Sequence, residues 1–410
     1  MKKTIRKGFK FRLNPTPEQA QKFIEFSGVN RFVWNKSLAS NLSRLENKQS
    51  ILWYNEMDFW TKLWKASDEY SFLKTVHSQT LQQTLKNLEK AFKDGFDKKQ
   101  PLKRIPKFKR KGQSDSFKYP QGFKLKSETN QVFLPKIGLV KYRNSRQVIG
   151  DLKNCTVSRR GKYWYVSIQT EYETEIPHHQ STSMIGIDLG ITRFATLSDG
   201  SYIEPINRFR QLSKKLTFAQ KQLSKKVRFS ANWKKQKSKI TSIHENIANA
   251  RLDFLHKTST DISKNHAMIV VEDLKVKNMS KSAKGDMSRP GKNVKAKTGL
   301  NKSILDQGWS MFVTMLDYKQ ACSGGDILRV NPQYTSQTCP SCHHISKENR
   351  KSQSAFECTE CGFKANADYV AALNILARGH RVLACGVESL DLTMKQEPVG
   401  SSNTHPLLSA

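Results

Sequence analysis

Apolar positions along the chain change period several times, and each change predicts a new element. Lys7 to Leu13 alternates, with Phe9, Phe11 and Leu13 on one face, and reads as a half-buried strand. Thr16-Pro17-Glu18-Gln19 follows as an N-cap, a proline at the first helical position and a glutamine that completes a capping box. From there to about Phe96 the spacing is helical: Ala20, Phe23 and Ile24, then Phe32, Val33, Leu38 and Leu42, then Leu81, Leu85, Leu88 and Phe92. Trp53, Trp60 and Trp64 fall in this helical lobe and read as core or inter-helix packing rather than base-stacking platforms. Between Phe117 and Glu173 the texture becomes β, with Arg160-Gly161 as a hairpin turn before its last strand. A small barrel or sandwich is expected, joined by the first strand across the helical insertion.

After Pro177 a second pattern begins. Met184-Ile-Gly-Ile-Asp-Leu-Gly190 is an apolar strand carrying one aspartate, and Phe194 to Gly200 returns from it into a tight Asp-Gly turn. Leu212, Leu216, Ala219, Leu223 and Val227, then Ile240, Ile243 and Ile247, predict two long basic helices separated near Ser230, forming a hairpin. Ala267 to Leu274 is β-branched, continuously apolar and ends in acids, as a strand buried on both faces does. Lys275 to Lys302 is polar and basic and reads as a mobile loop, before a helix through Trp309, Phe312, Met315 and Leu316. Leu328 to Val330 reads as a strand, Asp368 to Leu376 as a helix, and the residues from Gly386 on as a disordered tail.

Charge narrows the function. The 410 residues hold 70 Lys and Arg against 35 Asp and Glu, a net charge of +35. Such a surplus repels itself in the compact state and is offset by a polyanion that releases condensed counterions on binding. Mean hydropathy is −0.63, and the longest apolar run, Ala267 to Val271, is far short of a membrane span. The basic start lacks an apolar stretch, which argues against a signal peptide, and no lipidation motif marks either end. Nucleic acid is therefore the expected partner, and a membrane is not. Lys98, Lys99, Lys103, Arg104, Lys107, Lys109, Arg110 and Lys111 crowd a proline-interrupted loop with no acid among them. That loop is the first candidate for phosphate contact.

Of seven cysteines, Cys155, Cys322 and Cys385 are scattered, while Cys339, Cys342, Cys358 and Cys361 form C-x2-C-x15-C-x2-C. In a reducing compartment, paired C-x-x-C motifs at this spacing read as a metal site. Four thiolates close the tetrahedral shell of one Zn²⁺ and leave no position for a reactive water, so the ribbon is structural. His343 and His344 are not needed for it.

Three acids stand apart from the rest. Asp188 lies within one apolar strand, Glu272 at the end of another and Asp368 at the start of a helix after the ribbon. Buried carboxylates are costly without a cation. A parallel sheet brings distant strand ends together, and three carboxylates there can hold two Mg²⁺ or Mn²⁺ ions at roughly 4 Å, one activating water and the other stabilising the leaving oxygen. The residues thus suggest a two-metal phosphodiester hydrolase. Asp273 should face the opposite side of the sheet, and Asp199 reads as a turn former.

Gly186-Ile-Asp-Leu-Gly190, Val271-Glu-Asp-Leu274, Ser336-Gln-Thr-Cys-Pro-Ser-Cys342, Glu357-Cys-Thr-Glu-Cys-Gly362 and Asn366-Ala-Asp-Tyr-Val-Ala-Ala-Leu-Asn-Ile375 occur in one order. In that order they resemble the transposon-encoded TnpB (OrfB) family, over the whole chain except its tail. The resemblance implies a multidomain α+β and α/β protein. A β-barrel-like wedge domain (1–13 and 117–180) would be split by a helical recognition lobe (14–97) and a basic loop (98–116). An RNase H-like RuvC nuclease domain (181–335 and 364–380) would carry an inserted zinc ribbon (336–363), before a tail (381–410). It places the catalytic and Mg²⁺-binding triad on Asp188, Glu272 and Asp368, and the Zn²⁺ ligands on the four cysteines. It also implies an RNA-guided double-stranded DNA endonuclease related to type V CRISPR effectors. The guide RNA would come from the transposon end, cutting would occur beside a short transposon-adjacent motif, and the protein would act as a monomeric ribonucleoprotein in a prokaryotic cytoplasm. Two departures from the family pattern are Val370, where many relatives have asparagine, and His343, where glycine is common; Asn374 is retained. The alternatives are a guide-dependent repressor with a dead site, which the intact triad disfavours, and a transposase or junction resolvase acting without RNA. For the latter, Tyr334 and Ser336 flank the ribbon without a partner cluster.

Overall fold

A computed structural model describes residues 2–384 apart from Pro101, Ser114 and Ile176, with side chains from Thr4 onward. The chain forms two compact units, Met1–Pro177 with Lys214–Asn246, and His178–Ser213 with the residues from Ile247 on.

In the first unit β1 (Lys2–Asn14) is followed by α1 (Pro17–Glu46), α2 (Tyr54–Ala66) and α3 (Ser78–Phe96). The capping box at the start of α1 is present in both halves: Gln19 N–H donates to Thr16 Oγ1, and Thr16 N–H to Gln19 Oε1. Then come β2 (Ser116–Tyr119), β3 (Lys124–Lys126), β4 (Gln131–Leu134), β5 (Gly138–Tyr142), β6 (Asp151–Arg160) and β7 (Tyr163–Glu175). They form one seven-stranded antiparallel sheet in the order β2-β6-β7-β1-β5-β4-β3. β1 therefore does join across the helical insertion, running against β7 from Lys2↔Glu175 to Leu13↔Trp164. β6 and β7 meet in a two-residue turn at Gly161, whose φ of +56° is open to glycine at little cost. Strand pairing does not close the expected barrel, because β2 and β3 remain its edges among the described residues. Phe9, Phe11 and Leu13 point into a core shared with Phe23, Phe26 and Val33 of α1 and Leu81, Leu85 and Leu88 of α3. Each such side chain contributes about 1.5–3 kcal/mol by leaving water.

The tryptophan expectation holds only in part. Trp64 packs against this core, but Trp53 and Trp60 are 39% and 46% exposed. α2 is short and apolar on more sides than one packing stripe can cover, and Met57 and Thr61 already take its buried face.

The second unit opens with β8 (Met184–Leu189), β9 (Ala195–Leu197) and β10 (Tyr202–Ile203). The basic helices are α4 (Arg208–Ser224) and α5 (Ala231–Asn265), parted around Ser230 as expected; their Lys214–Asn246 portion belongs to the first unit and the remainder to the second. β11 (Met268–Glu272), α6 (Val276–Met279), α7 (Val294–Gln307), α8 (Trp309–Ser323) and β12 (Asp326–Val330) follow. The segment expected to be a loop thus contains one short helical turn and, from Val294, a helix. Only Ile304, Asp306 and Gln307 of α7 are buried, so its lysine-rich surface hides the helical period. β13 (Ala355–Glu357) pairs with β14 (Lys364–Asn366) in the ribbon, and α9 (Ala367–Ala384) ends the described chain. α9 extends four residues into the segment expected as tail; the rest of that segment, with Cys385, lies outside the described residues.

The five-stranded sheet has the order β10-β9-β8-β11-β12. β8, β11 and β12 are parallel, and β9 runs against β8. One face, with Ile185, Ile187, Ile269 and Val271, packs on Leu255 and Ile262 of α5, Ile304 of α7 and Phe312 and Leu316 of α8. The other face lies under α9. A Cβ on Gly186 would stand 2.4 Å from the Ala372 carbonyl oxygen, and one on Gly379 would stand 2.5 Å from Val270. Glycine at both positions lets the helix backbone press directly on the sheet.

Candidate active site and zinc ribbon

The parallel register of β8 and β11 pairs Gly186 with Val270 and Ile187 with Val271. Extending it by one residue sets Asp188 level with Glu272. Because side chains alternate along a strand, both acids share the face of Gly186 and Val270, the face that α9 covers. Asp368 lies in the first turn of α9, where the helix dipole favours an acid. Asn366 caps this turn, its side-chain oxygen accepting from the N–H groups of Asp368 and Tyr369 at 3.1 and 3.3 Å. Three acids from well-separated segments therefore converge at the C-terminal ends of the central strands.

Their electrostatics differ. Burial, then the negative charges of Glu272 and Asp368, push the Asp188 carboxyl up to about 7, with Arg350 opposing the shift. Burial also raises Glu272, against a hydrogen bond from Thr335 and the charge of Arg378. Asp368 has a cation nearby, Arg350 at 3.7 Å. The carboxylates are not drawn into one tight group: among the described residues, only the four cysteines bring three or more His, Cys, Asp or Glu donor atoms within 4.8 Å of one another. Hard oxygen donors held apart without enough cations suit divalent ions such as Mg²⁺.

Several partners of this site were not singled out from sequence. Thr335 donates its hydroxyl to Glu272 Oε1 at 2.6 Å. Asn374 of α9, itself buried, donates to the carbonyls of Thr335 and Thr338 at 2.8 and 2.7 Å, tying the helix to the turn that leads into the ribbon. Asn374 had a visible signal in the last quoted motif. Thr335 had none beyond sitting between Tyr334 and Ser336. Asp199 behaves as expected, accepting from Ser201 N–H and Oγ in a turn, and Asp273 pairs with Lys275 at the surface.

The ribbon is two copies of one knuckle. Cys339 N–H donates to the His344 carbonyl and His343 N–H to the Cys339 carbonyl; Cys358 N–H donates to the Phe363 carbonyl and Gly362 N–H to the Cys358 carbonyl. The residue after each second cysteine is left-handed, His343 at φ +63° and Gly362 at +71°, so the histidine occupies a conformation that suits glycine better. Sulfur separations are 3.6 Å for Cys339–Cys361 and 3.5 Å for Cys342–Cys358. Zn–S bonds of 2.3 Å set tetrahedral sulfur edges of about 3.8 Å, so the donor set fits one zinc ion.

Seven of the eight basic-loop residues are exposed. The eighth, Lys109, is half-buried and lies against α1, with its ammonium 3.8 Å from the Trp34 ring centroid.

Residues 167–283 match a family described as "Probable transposase", residues 309–375 a Cas12f1-like TNB domain, and residues 1–50 a helix-turn-helix domain of the same OrfB proteins. The chain is 53% identical over 392 residues to "Putative RNA-guided DNA endonuclease InsQ" of Escherichia coli K12, covering 95% of this chain and 96% of that one. The chain belongs to the TnpB (OrfB) family. A second member, "Putative RNA-guided DNA endonuclease" of Streptomyces pristinaespiralis, is 31% identical over 94% of this chain and 92% of its own. A more distant likeness, 26% over 53% of this chain and 50% of the relative, is to the CRISPR-associated endodeoxyribonuclease Cas12f1 of Sulfoacidibacillus thermotolerans. Superposition on the mini-RNA-guided endonuclease CRISPR-Cas_phi3 is loose, with a TM-score of 0.43 at 12% identity over 91% and 92% of the two chains. In the range of the helix-turn-helix match, this TnpB-family chain has one strand and a single 30-residue helix. Among the described residues no helix is long and apolar enough to cross a membrane.

Proposed function

We propose that this protein is the RNA-guided double-stranded DNA endonuclease of a transposable element. It carries an RNA derived from the element's own end, pairs it with DNA beside a short adjacent motif, and hydrolyses both strands at one site. The observation that carries the hydrolytic part is the convergence of Asp188, Glu272 and Asp368 on one face of a parallel sheet, in a chain that matches named RNA-guided endonucleases along nearly its whole length.

In this reading 181–335 and 364–380 form the RuvC-type, RNase H-like nuclease domain, interrupted by the ribbon at 336–363. The sheet of residues 1–13 and 117–180 forms the wedge, 14–97 the recognition lobe and 98–116 a nucleic-acid loop. Asp188, Glu272 and Asp368 would hold two Mg²⁺ ions, which supply an activated water and stabilise the leaving oxygen. The chain's own part is positional. Thr335 fixes the rotamer of Glu272, Asn366 fixes the first turn of α9, and Arg350 offsets the charge of Asp368. Base pairing reads sequence, while the protein reads the duplex motif and the heteroduplex shape. The protein acts as a monomeric ribonucleoprotein in the bacterial cytoplasm.

The test is to purify the protein from a native host, sequence the RNA that accompanies it, and challenge the complex with a plasmid library and Mg²⁺. Guided function requires a discrete RNA and cutting only at matching targets. Cutting that survives ribonuclease treatment would instead indicate an unguided transposase or resolvase. Asp188→Ala should abolish cutting and leave RNA and DNA binding within about twofold, because it removes one metal ligand from a strongly basic protein. Loss of binding in that variant would contradict the division between an acidic cutting site and a basic binding surface.

A further inference from the structure

In the first unit a cavity of about 170 Å³ opens where residues 108–116 cross the middle of α1. Its walls include Ser27, Asn30 and Arg31 of the helix and Lys109, Arg110 and Asp115 of the crossing segment. That segment is fastened in place. Asn35 exchanges two hydrogen bonds with the Lys109 backbone, at 3.0 and 2.8 Å, and the Trp34 indole donates to the Lys107 carbonyl at 3.1 Å. The Lys109 ammonium lies over the Trp34 ring, 3.8 Å from its centroid, and Lys109 is one of the residues that line the cavity.

Two groups of the lining residues are incompletely matched, an ammonium that has an aromatic face but no acid and a hydroxyl with no partner. Burial alone lowers the Lys109 ammonium to about 8, with no acid offsetting it. Asp115, the acid on the same wall, is engaged by Arg31 at 3.2 Å and by the Gly112 N–H at 3.1 Å. The Ser27 hydroxyl, on a residue only 3% exposed, has no hydrogen-bond partner among the described residues. An orphaned buried hydroxyl is costly, and a buried charge without its counter-charge more so. Facing one cavity, they call for a ligand that is anionic and offers more than one acceptor oxygen.

We propose that this cavity seats a single backbone phosphate of the nucleic acid the protein carries, with Lys109 as its counter-charge and Ser27 as a hydrogen-bond donor. The proposal rests on the RNA-guided reading and adds a fixed anchoring point to it. The exposed lysines of the same loop attract phosphates anywhere along a strand, whereas a rigid cavity holds one phosphate and so sets the register of the strand. The phosphodiester belongs either to the guide RNA or to the target DNA.

The experiment uses the full-length protein and two probes: guide RNA transcribed from the transposon end, and a matching target duplex presented to the preformed ribonucleoprotein. Lys109→Met keeps the stem on Trp34 and removes the charge. Ser27→Ala removes only a hydroxyl that bonds nothing in the protein. Lys109→Met should weaken one probe by about tenfold and flatten its log K against log salt slope by about one, with no fall in Tm. Ser27→Ala should weaken the same probe by a smaller factor. A loss in the RNA arm assigns the phosphate to the guide, and a loss in the duplex arm assigns it to the target. Unchanged affinity and slope in both arms would overturn the cavity's role while leaving guided cleavage intact. A wild-type protein that binds neither probe would overturn the RNA-guided reading and the cavity's role with it.

Discussion

Lys109 shows how burial sets the behaviour of one basic residue. Its pKa is about 8 in the folded protein, against the usual 10.5. Between those values the unfolded chain binds more protons, so stability rises with pH across that window and the buried ammonium is a constant penalty below it. Lys109→Met should therefore raise the stability of the nucleic-acid-free protein at pH 7 by up to about 3 kcal/mol, less where solvent screens the charge. The gap to wild type should close as pH rises from about 8 to 10.5. Denaturant melts of both proteins at pH 7 and 10.5 measure this, and a gap that stays constant or widens would contradict it. At this scale the sequence was read unevenly. Asp188, Glu272 and Asp368 stood out because an acid in or beside an apolar run needs an explanation. Thr335 and the Ser27 hydroxyl did not, because their meaning lies wholly in what the fold brings beside them.

Among the elements, β8 and β11 were legible because strands buried on both faces read as unbroken apolar runs. α7 was not, since most of its surface is polar and only its last turns are buried. Nor did periodicity show how closely α9 lies on β8. Gly186→Ala would drive a methyl group into the Ala372 carbonyl. It should cost about 1–3 kcal/mol and, by lifting the helix that carries Asp368, reduce cleavage far more than nucleic-acid binding; thermal melts and cleavage rates measured together check this. Zinc removal should act on the same helix. The ribbon's own core is small, Cys339, Phe356 and Cys358 packed on Ala367 and Val370 of α9 with the half-buried Phe363 and Ala365 against them, too little to fold without its metal. A zinc chelator should abolish cutting in a way that Zn²⁺, but not excess Mg²⁺, restores. Restoration by Mg²⁺ alone would make the ribbon dispensable.

For the whole molecule the governing quantity is the net charge of +35. If several exposed basic segments grip backbone phosphates, affinity for the guide RNA should fall by about 10³-fold or more between 50 and 200 mM salt. A shallow salt dependence, measured by filter binding, would mean that shape and base contacts dominate instead.

The order of parts along the chain adds a temporal consequence. The loop at 98–111 and the lysine-rich α4 and α5 all precede Asp368, which comes only after the ribbon in the first turn of α9. A ribosome making this protein thus delivers the polyanion-binding segments first and the last acid of the cutting centre near the end. If the proposed roles hold, chains that stall or are clipped before α9 should hold nucleic acid without breaking it, which binding and cleavage assays on a truncated protein would check. On that reading an incomplete chain is no nuclease, and cutting has to wait for the last helix.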